Sequence, residues 1–122
     1  MAERDLFKRT RQFHIDVIRL CKQLPKDPAG FETGKQVIRS AGSVGANYRA
    51  TKRAKSDPDY HNKIKTVLEE ADESEYWLGV IRDTGMITGA TIDCLIKEAG
   101  ELTAIFTTSD KTLWQKIYGG KK

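Results

Sequence analysis

Apolar residues recur along this chain at alternating steps of three and four, the spacing of one face of an α-helix. In the first segment, Leu6, Phe13, Val17, Leu20 and Leu24 form such a stripe, widened by Phe7, Ile18 and Cys21. In the second, Val37, Ala41, Val44 and Tyr48 do the same, with Ile38 beside them. The third is the most regular: Tyr60, Ile64, Val67, Ala71, Ser74, Leu78 and Ile81 make one seam, flanked by Leu68, Trp77 and Val80. In the fourth, Ile92, Leu95, Ala99, Leu102 and Phe106 align, with Ile96 and Ile105 widening the face. No alternating strand pattern competes, and no internal repeat is visible.

The breaks between the stripes are short. Pro25-Lys-Asp-Pro-Ala-Gly30 interrupts the first, because proline lacks an amide and restricts the residue before it. Ser56-Asp57-Pro58 is a helix start, with Ser or Asp as cap, and Gly85 is a stop. Thr88 is a candidate cap for the last segment. These signals predict helices over about 5–24, 31–55, 58–83 and 88–108, followed by a tail over 109–122. In the tail, Leu113, Trp114 and Ile117 either prolong the helix or pack against the bundle, and the Gly119-Gly120-Lys121-Lys122 end is expected to fray. The expected fold is all-α: one domain over 1–122, an antiparallel up-down four-helix bundle. The stripes are wider than a coiled-coil seam, which favours a globular bundle over an extended coil.

The second segment departs from an ordinary helix. Gly34, Gly42 and Gly45 lie inside it, among Ala41, Ser43 and Ala46. Each interior glycine costs about 0.5–1 kcal/mol relative to alanine. Close approach of a neighbouring backbone would offset that cost; a loop or kink near Gly42–Gly45 is the competing reading.

Composition adds constraints. The 122 residues are 39% hydrophobic and 31% charged, ordinary for a globular helical domain and too apolar for a disordered one. No apolar run approaches the roughly 20 residues that span a bilayer, so no membrane association is expected. The charged start Met-Ala-Glu-Arg-Asp has no apolar stretch behind it, so no secretory signal is expected. Cys21 and Cys94 sit inside amphipathic patterns without CxxC spacing and read as two reduced core thiols of a cytoplasmic protein.

The net charge of +4 is unevenly spread. Residues 3–26 carry +4, residues 31–56 carry +5 and residues 57–84 carry −5. Two readings follow. A basic surface of the first two helices attracts a polyanion, or the basic and acidic helices neutralise each other within or between chains. The sharpest basic cluster, Arg49, Lys52, Arg53 and Lys55, falls at the end of the second helix, where the macrodipole already favours cations.

Catalytic signatures are lacking. There is no phosphate-binding GxxxxGK[ST] loop, no GxGxxG and no GxSxG. Neither His14 nor His61 follows a glutamate by three residues, as a di-metal carboxylate bundle requires. His14 reads as a packed residue and His61 as an exposed one. The acidic run Glu69–Glu75 is better explained by pairing with arginines such as Arg39 or Arg49 than by acid–base chemistry. No catalytic residue, metal site or cofactor is therefore expected. Tyr48, Tyr76 and Trp77 are candidates for base stacking, although Trp77 adjoins the helix-three seam and reads first as core or interface.

Two stretches carry a family resemblance: Val37-Ile-Arg-Ser-Ala-Gly-Ser-Val-Gly-Ala-Asn-Tyr-Arg-Ala50 and Leu68-Glu-Glu-Ala-Asp-Glu-Ser-Glu-Tyr-Trp-Leu78. Over about Phe7–Phe106 the chain resembles the four-helix-bundle proteins encoded in intervening sequences of bacterial 23S ribosomal RNA genes. The accessory variability determinant proteins of diversity-generating retroelements look like relatives of the same fold. The resemblance implies four antiparallel helices assembling as a ring-like homopentamer, and a basic surface toward nucleic acid. In the retroelement relatives the bundle binds a reverse transcriptase and RNA, while most members of the family have no established biochemical activity. The family's recurrent positions fall here on Arg39, Ser40, Ser43 and Asn47, and on Glu70, Glu73 and Trp77. Ser43 and Asn47, one turn apart, read as buried polar residues bonding to a neighbouring helix. Where many relatives have Ile-Ala-Glu-Gly after the asparagine, this chain has Tyr48-Arg-Ala-Thr51, a more basic stretch.

Charge and resemblance together lead to a non-enzymatic, oligomeric nucleic-acid-associated protein, for RNA before DNA, with Arg39, Arg49, Lys52, Arg53 and Lys55 as the binding residues. Ser43, Asn47, Glu70, Glu73 and Trp77 are then interface or buried polar positions. The alternative is a protein–protein adaptor or assembly subunit, for example an accessory to a reverse transcriptase or another RNA-processing partner.

Overall fold

The computed structural model describes residues 2–119, with side chains over 6–118; of the Gly119–Lys122 end expected to fray, 120–122 lie outside them. Four helices account for nearly all of it: α1 (Ala2–Cys21), α2 (Pro28–Ala50), α3 (Asp57–Asp83) and α4 (Ala90–Trp114). Each packs on its two neighbours, α1 closing the bundle against α4. Gly34 lies against Leu24 and Gly45 against Thr10, and His61 meets Asp110 where Arg82 meets Asp93; in both sets one chain position rises as the other falls, so α1 is antiparallel to α2 and α3 to α4.

Local chemistry explains where the helices end. The first stops at Cys21, three residues earlier than the apolar stripe suggests. The amides of Lys22, Gln23 and Leu24 tighten onto the carbonyls of Arg19, Leu20 and Cys21, because Pro25 disfavours helical geometry in Leu24. The second starts three residues early, since Pro28 fits the first helical turn and the Asp27 carboxylate accepts from the Gly30 amide at 2.8 Å. It ends at Ala50 rather than Lys55, giving way to a 3₁₀ turn over Thr51–Arg53. Ser56 caps α3 through the Asp59 amide, and Gly85, at φ +79°, takes the left-handed turn that ends it. Gly89 at φ +115°, not Thr88, sits at the cap position of α4. That helix continues to Trp114, followed by a wide π-type turn over Gln115–Gly119.

The predicted stripes meet at the bundle axis. Phe13, Val17 and Leu20 from α1, and Val37, Ala41 and Val44 from α2, are almost fully buried. So are Ile64, Val67, Ala71, Leu78 and Ile81 from α3, and Ile92, Ala99, Leu102 and Phe106 from α4. At one end the rings of Phe7, Tyr48 and Phe106 stack in series, with centroids 4.5 and 5.1 Å apart. Tyr48 therefore belongs to the core, 3% exposed, and is not placed for base stacking. Ile18, expected to widen the core stripe, is exposed.

Polar contacts clamp three of the four seams. Between α1 and α4, the Arg9 guanidinium donates to both oxygens of Glu98 at 3.0 and 2.7 Å and reaches Glu101 at 3.2 Å. Between α2 and α3, Arg39 spans Glu70 at 3.3 Å and Glu73. Beneath that pair, the fully buried hydroxyls of Ser40 and Ser74 meet at 2.8 Å. Between α3 and α4, His61 meets Asp110 at 2.6 Å, and Arg82 lies 3.5 Å from Asp93. His61, expected to be exposed, is buried because the prolonged α4 carries Asp110 and Tyr118 over the start of α3. The cysteines also depart from expectation. Cys94 is exposed on α4, and Cys21 is half-buried, where desolvation pushes its thiol up to about 11.

Ser40 and Ser74 have two hydroxyl protons for three contacts: one with each other, one from Ser40 to the Val37 carbonyl and one from Ser74 to the Glu70 carbonyl. Removing either hydroxyl leaves its partner a backbone acceptor. Ser40→Ala and Ser74→Ala should each destabilise the fold by about 1 kcal/mol, and the double variant by less than the sum. Urea unfolding of the four-member cycle measures this; strict additivity would contradict a shared bond.

Glu73 accepts from the Trp77 indole at 3.0 Å as well as from Arg39. The indole bond, reinforced by Arg39, holds its carboxyl below the usual range. Such a group stabilises the fold above its unfolded-state pKa, and that contribution is lost as pH falls through the folded one. Trp77→Phe should raise the Glu73 pKa, read by carboxyl NMR titration, and should move the loss of its contribution to higher pH. An unchanged titration would mean that the indole bond does not matter.

Candidate nucleic-acid interface

The fourth seam, between α1 and α2, is built differently. Both helices are basic, and among the described residues no ion pair crosses between them. Small residues bring the two together instead. A Cβ placed on Gly45 would stand 3.3 Å from the Thr10 carbonyl oxygen, a backbone contact that has little room to give. On Gly42 it would press on the His14 imidazole at 2.9 Å, and on Gly34 on the Leu24 side chain at 2.8 Å. The helix runs unbroken through all three, so close approach, not a kink, is what the glycines serve.

Outside this contact the two helices diverge around a groove of about 460 Å³. Its floor is Gly42, Gly45 and Ala46 on α2, and its walls are Arg11 and His14 on α1, Arg49 at the end of α2 and Arg53 on the 3₁₀ turn that follows. No carboxylate lines it. Among the described residues, none of the three guanidinium groups has an ion-pair partner and neither nitrogen of His14 has a hydrogen bond. The other end of the seam is a shallower depression around Cys21, Leu24 and Ile38, flanked by exposed Phe31.

The basic residues singled out from the sequence divide between two places. Arg49 and Arg53 face the groove. Lys52, on the same 3₁₀ turn, sets its ammonium 4.4 Å over the Phe7 ring, and Lys55 is exposed in the loop that follows. Arg39 stands apart on the α2–α3 seam, with two carboxylates on its guanidinium. Glu70, Glu73 and Trp77 gather around it. Ser43 and Asn47 do come together, but within α2: the Asn47 amide donates to the Ser43 carbonyl at 2.9 Å and to its hydroxyl at 2.8 Å. The hydrogen bond expected from them to a neighbouring helix is made instead by Ser40 and Ser74. Ser40 of α2 meets Ser74 of α3, whereas the bonds of Asn47 go to Ser43 within α2.

Sequence reasoning missed Arg11 and His14 as partners of the Arg49–Arg53 end. The signal was present: their three-residue spacing puts them on one face of α1, opposite the glycines of α2. Only the pairing of those two faces joins them. For other chemistry the structure offers little. Among the described residues, no three His, Cys, Asp or Glu side chains come together in a way that could hold a metal ion, and no helix is long and apolar enough to cross a membrane.

Comparison with known proteins matches this geometry to a family. Among solved structures, the chain is similar to a protein of unknown function from the S23 ribosomal protein family of Bacteroides thetaiotaomicron VPI-5482. The two are 30% identical and superpose with a TM-score of 0.82, over 91% of this chain and 99% of the other. A search of curated proteins finds no match. The family model for 23S rRNA-intervening sequence proteins covers residues 2–108, all of the first three helices and most of the fourth. By its helices, its glycine-bearing second segment and that match, the chain belongs to the 23S rRNA-intervening sequence protein family.

Proposed function

We propose that this protein is a non-enzymatic nucleic-acid-binding module that acts as a homo-oligomer, with its basic α1–α2 face turned toward the ligand. The observation that carries this reading is that, among the described residues, Arg11, Arg49 and Arg53 have no carboxylate partner at a seam where cations from both helices converge. Every other seam pairs its arginine or histidine with an acidic residue. Like charges left together weaken a fold, so a face that keeps them unpaired is explained by a polyanion that neutralises them. Lys52 and Lys55 extend the same charge beyond the groove. Arg39, occupied by Glu70 and Glu73, serves the bundle and is not part of this surface. The family's link to 23S rRNA intervening sequences makes RNA the first ligand to test, with DNA second. An oligomer would repeat the patch and raise avidity for a ligand of repeating charge.

An adaptor reading draws on α3. Tyr76 is 63% exposed there, next to Glu69 and Asp72, which are also exposed. An acidic, aromatic ridge of this kind is complementary to the basic face of a second copy or to a basic protein partner such as a polymerase. In that case assembly consumes the cations.

The two readings separate in one experiment. Labelled single-stranded and hairpin RNAs are titrated at low salt, with the oligomeric state followed by light scattering. Lys52→Glu, Arg53→Glu and Lys55→Glu together should weaken RNA binding at least tenfold and flatten its salt dependence, with the oligomer intact. Loss of the oligomer instead favours the adaptor. Failure of the unaltered protein to bind any RNA or DNA at low salt ends the nucleic-acid reading.

A further inference from the structure

Resting on the nucleic-acid reading above, we propose that the groove between α1 and α2 is a single-strand subsite, holding a backbone phosphodiester between Arg11, Arg49 and Arg53 with a base or sugar against His14 and the glycine floor. The groove's volume, about 460 Å³, lies in the range of sites that enclose a small ligand, roughly 300–1,000 Å³. That scale suits one nucleotide drawn into a concavity. A duplex, with its bases stacked inside, could be held by the exposed lysines alone.

The chemistry of the walls points the same way. Guanidinium groups present planar forks of donors that match phosphate oxygens in pairs, and their faces stack on bases. Three of them around one concavity, with no acid among them, concentrate positive potential there more strongly than the same charges on a convex surface would. His14 adds a flat ring. Its Nε2 edge lies against Gly42, close enough that a methyl group there would displace it, and among the described residues its nitrogens have no hydrogen-bond partner. An aromatic plane beside a phosphate clamp is how proteins commonly hold a splayed single strand.

Gly42 and Gly45 thus have two consequences. They let α1 approach α2, and they keep the floor free of side chains. Ala46, exposed beside them, is the position at which the floor can be filled without disturbing that approach.

The test uses the full-length protein and a fluorescent single-stranded oligoribonucleotide, with a duplex of the same sequence as the second probe. Ala46→Trp fills the groove, Ala46→Glu places a carboxylate in it, and Arg11→Gln removes one wall. Circular dichroism confirms that each variant is folded. Lys52→Glu with Lys55→Glu alters charge outside the groove. The groove variants should lower single-strand affinity about tenfold while changing duplex affinity less than twofold. Arg11→Gln should also reduce the salt slope by about 0.7, the share of one single-strand phosphate contact. The lysine pair should weaken both probes alike. If the unaltered protein binds neither probe at low salt, the nucleic-acid reading itself fails. If it binds both, and only the lysine pair matters, that reading stands and the groove is not its site. Equal losses for single strand and duplex in the groove variants would also overturn the subsite.

Discussion

Two basic helices lie side by side at the α1–α2 seam, and among the described residues no ion pair holds them there. Glycine makes this possible. At Gly45 the backbone of α2 comes up against the Thr10 carbonyl, which brings Val37, Ala41 and Val44 into register with Phe13, Val17 and Leu20. Dispersion and apolar burial hold this seam as they hold the others, but among the described residues no charge contact fixes its faces. The conformational cost of glycine inside a helix is offset by that packing. A side chain at these positions would push α1 outward, opening the core and the seam together.

The other three seams divide the work differently. Arg9, Arg39, Arg82 and His61 each reach a carboxylate on the adjoining helix. Partly exposed pairs of this kind add little stability each. They do fix which helix faces meet, since a rotated helix would leave arginines opposed to apolar residues. The Ser40–Ser74 contact has the same role inside the core, because two buried hydroxyls must find each other or a backbone acceptor. The acidic character of α3 follows from this arrangement: some of its carboxylates serve the bundle, and Glu69 and Asp72 remain on its outer face. Among the described residues, the cations of α1 and α2 that face each other have no such partners, and the protein's net positive charge is concentrated there.

Much of this was legible in the chain. The three-and-four spacing of Ile64, Val67, Ala71, Leu78 and Ile81, and of the corresponding residues in the other segments, determined four helices and their buried faces, because one face of a helix can be buried only at that period. Pro25, Ser56 and Gly85 marked where helices stop and start, since their backbone chemistry acts locally, whereas Pro28, read as part of the break, opens α2. Charge totals, and the pairing of the Glu69–Glu75 run with an arginine of the second segment, were likewise readable from which segments are basic and which acidic; that Arg39 takes Glu70 and Glu73, while Arg49 has no ion pair among the described residues, was not.

Contacts between distant residues were decided only by the tertiary structure. Nothing near His61 in the chain indicates burial; Asp110, forty-nine residues on, covers it because α4 outlasts its apolar stripe. Asn47 and Ser43 carry the same groups whether they bond across a seam or within α2, and only the rotation of that helix settles which. The glycines of the second segment pointed to a close approach or to a kink, since a glycine in a helix has no local benefit, and the unbroken helix decides for the approach. That the approaching helix is α1, and that its Arg11 and His14 complete a groove with Arg49 and Arg53, depends on how two faces dock, and docking is a property of the packed bundle.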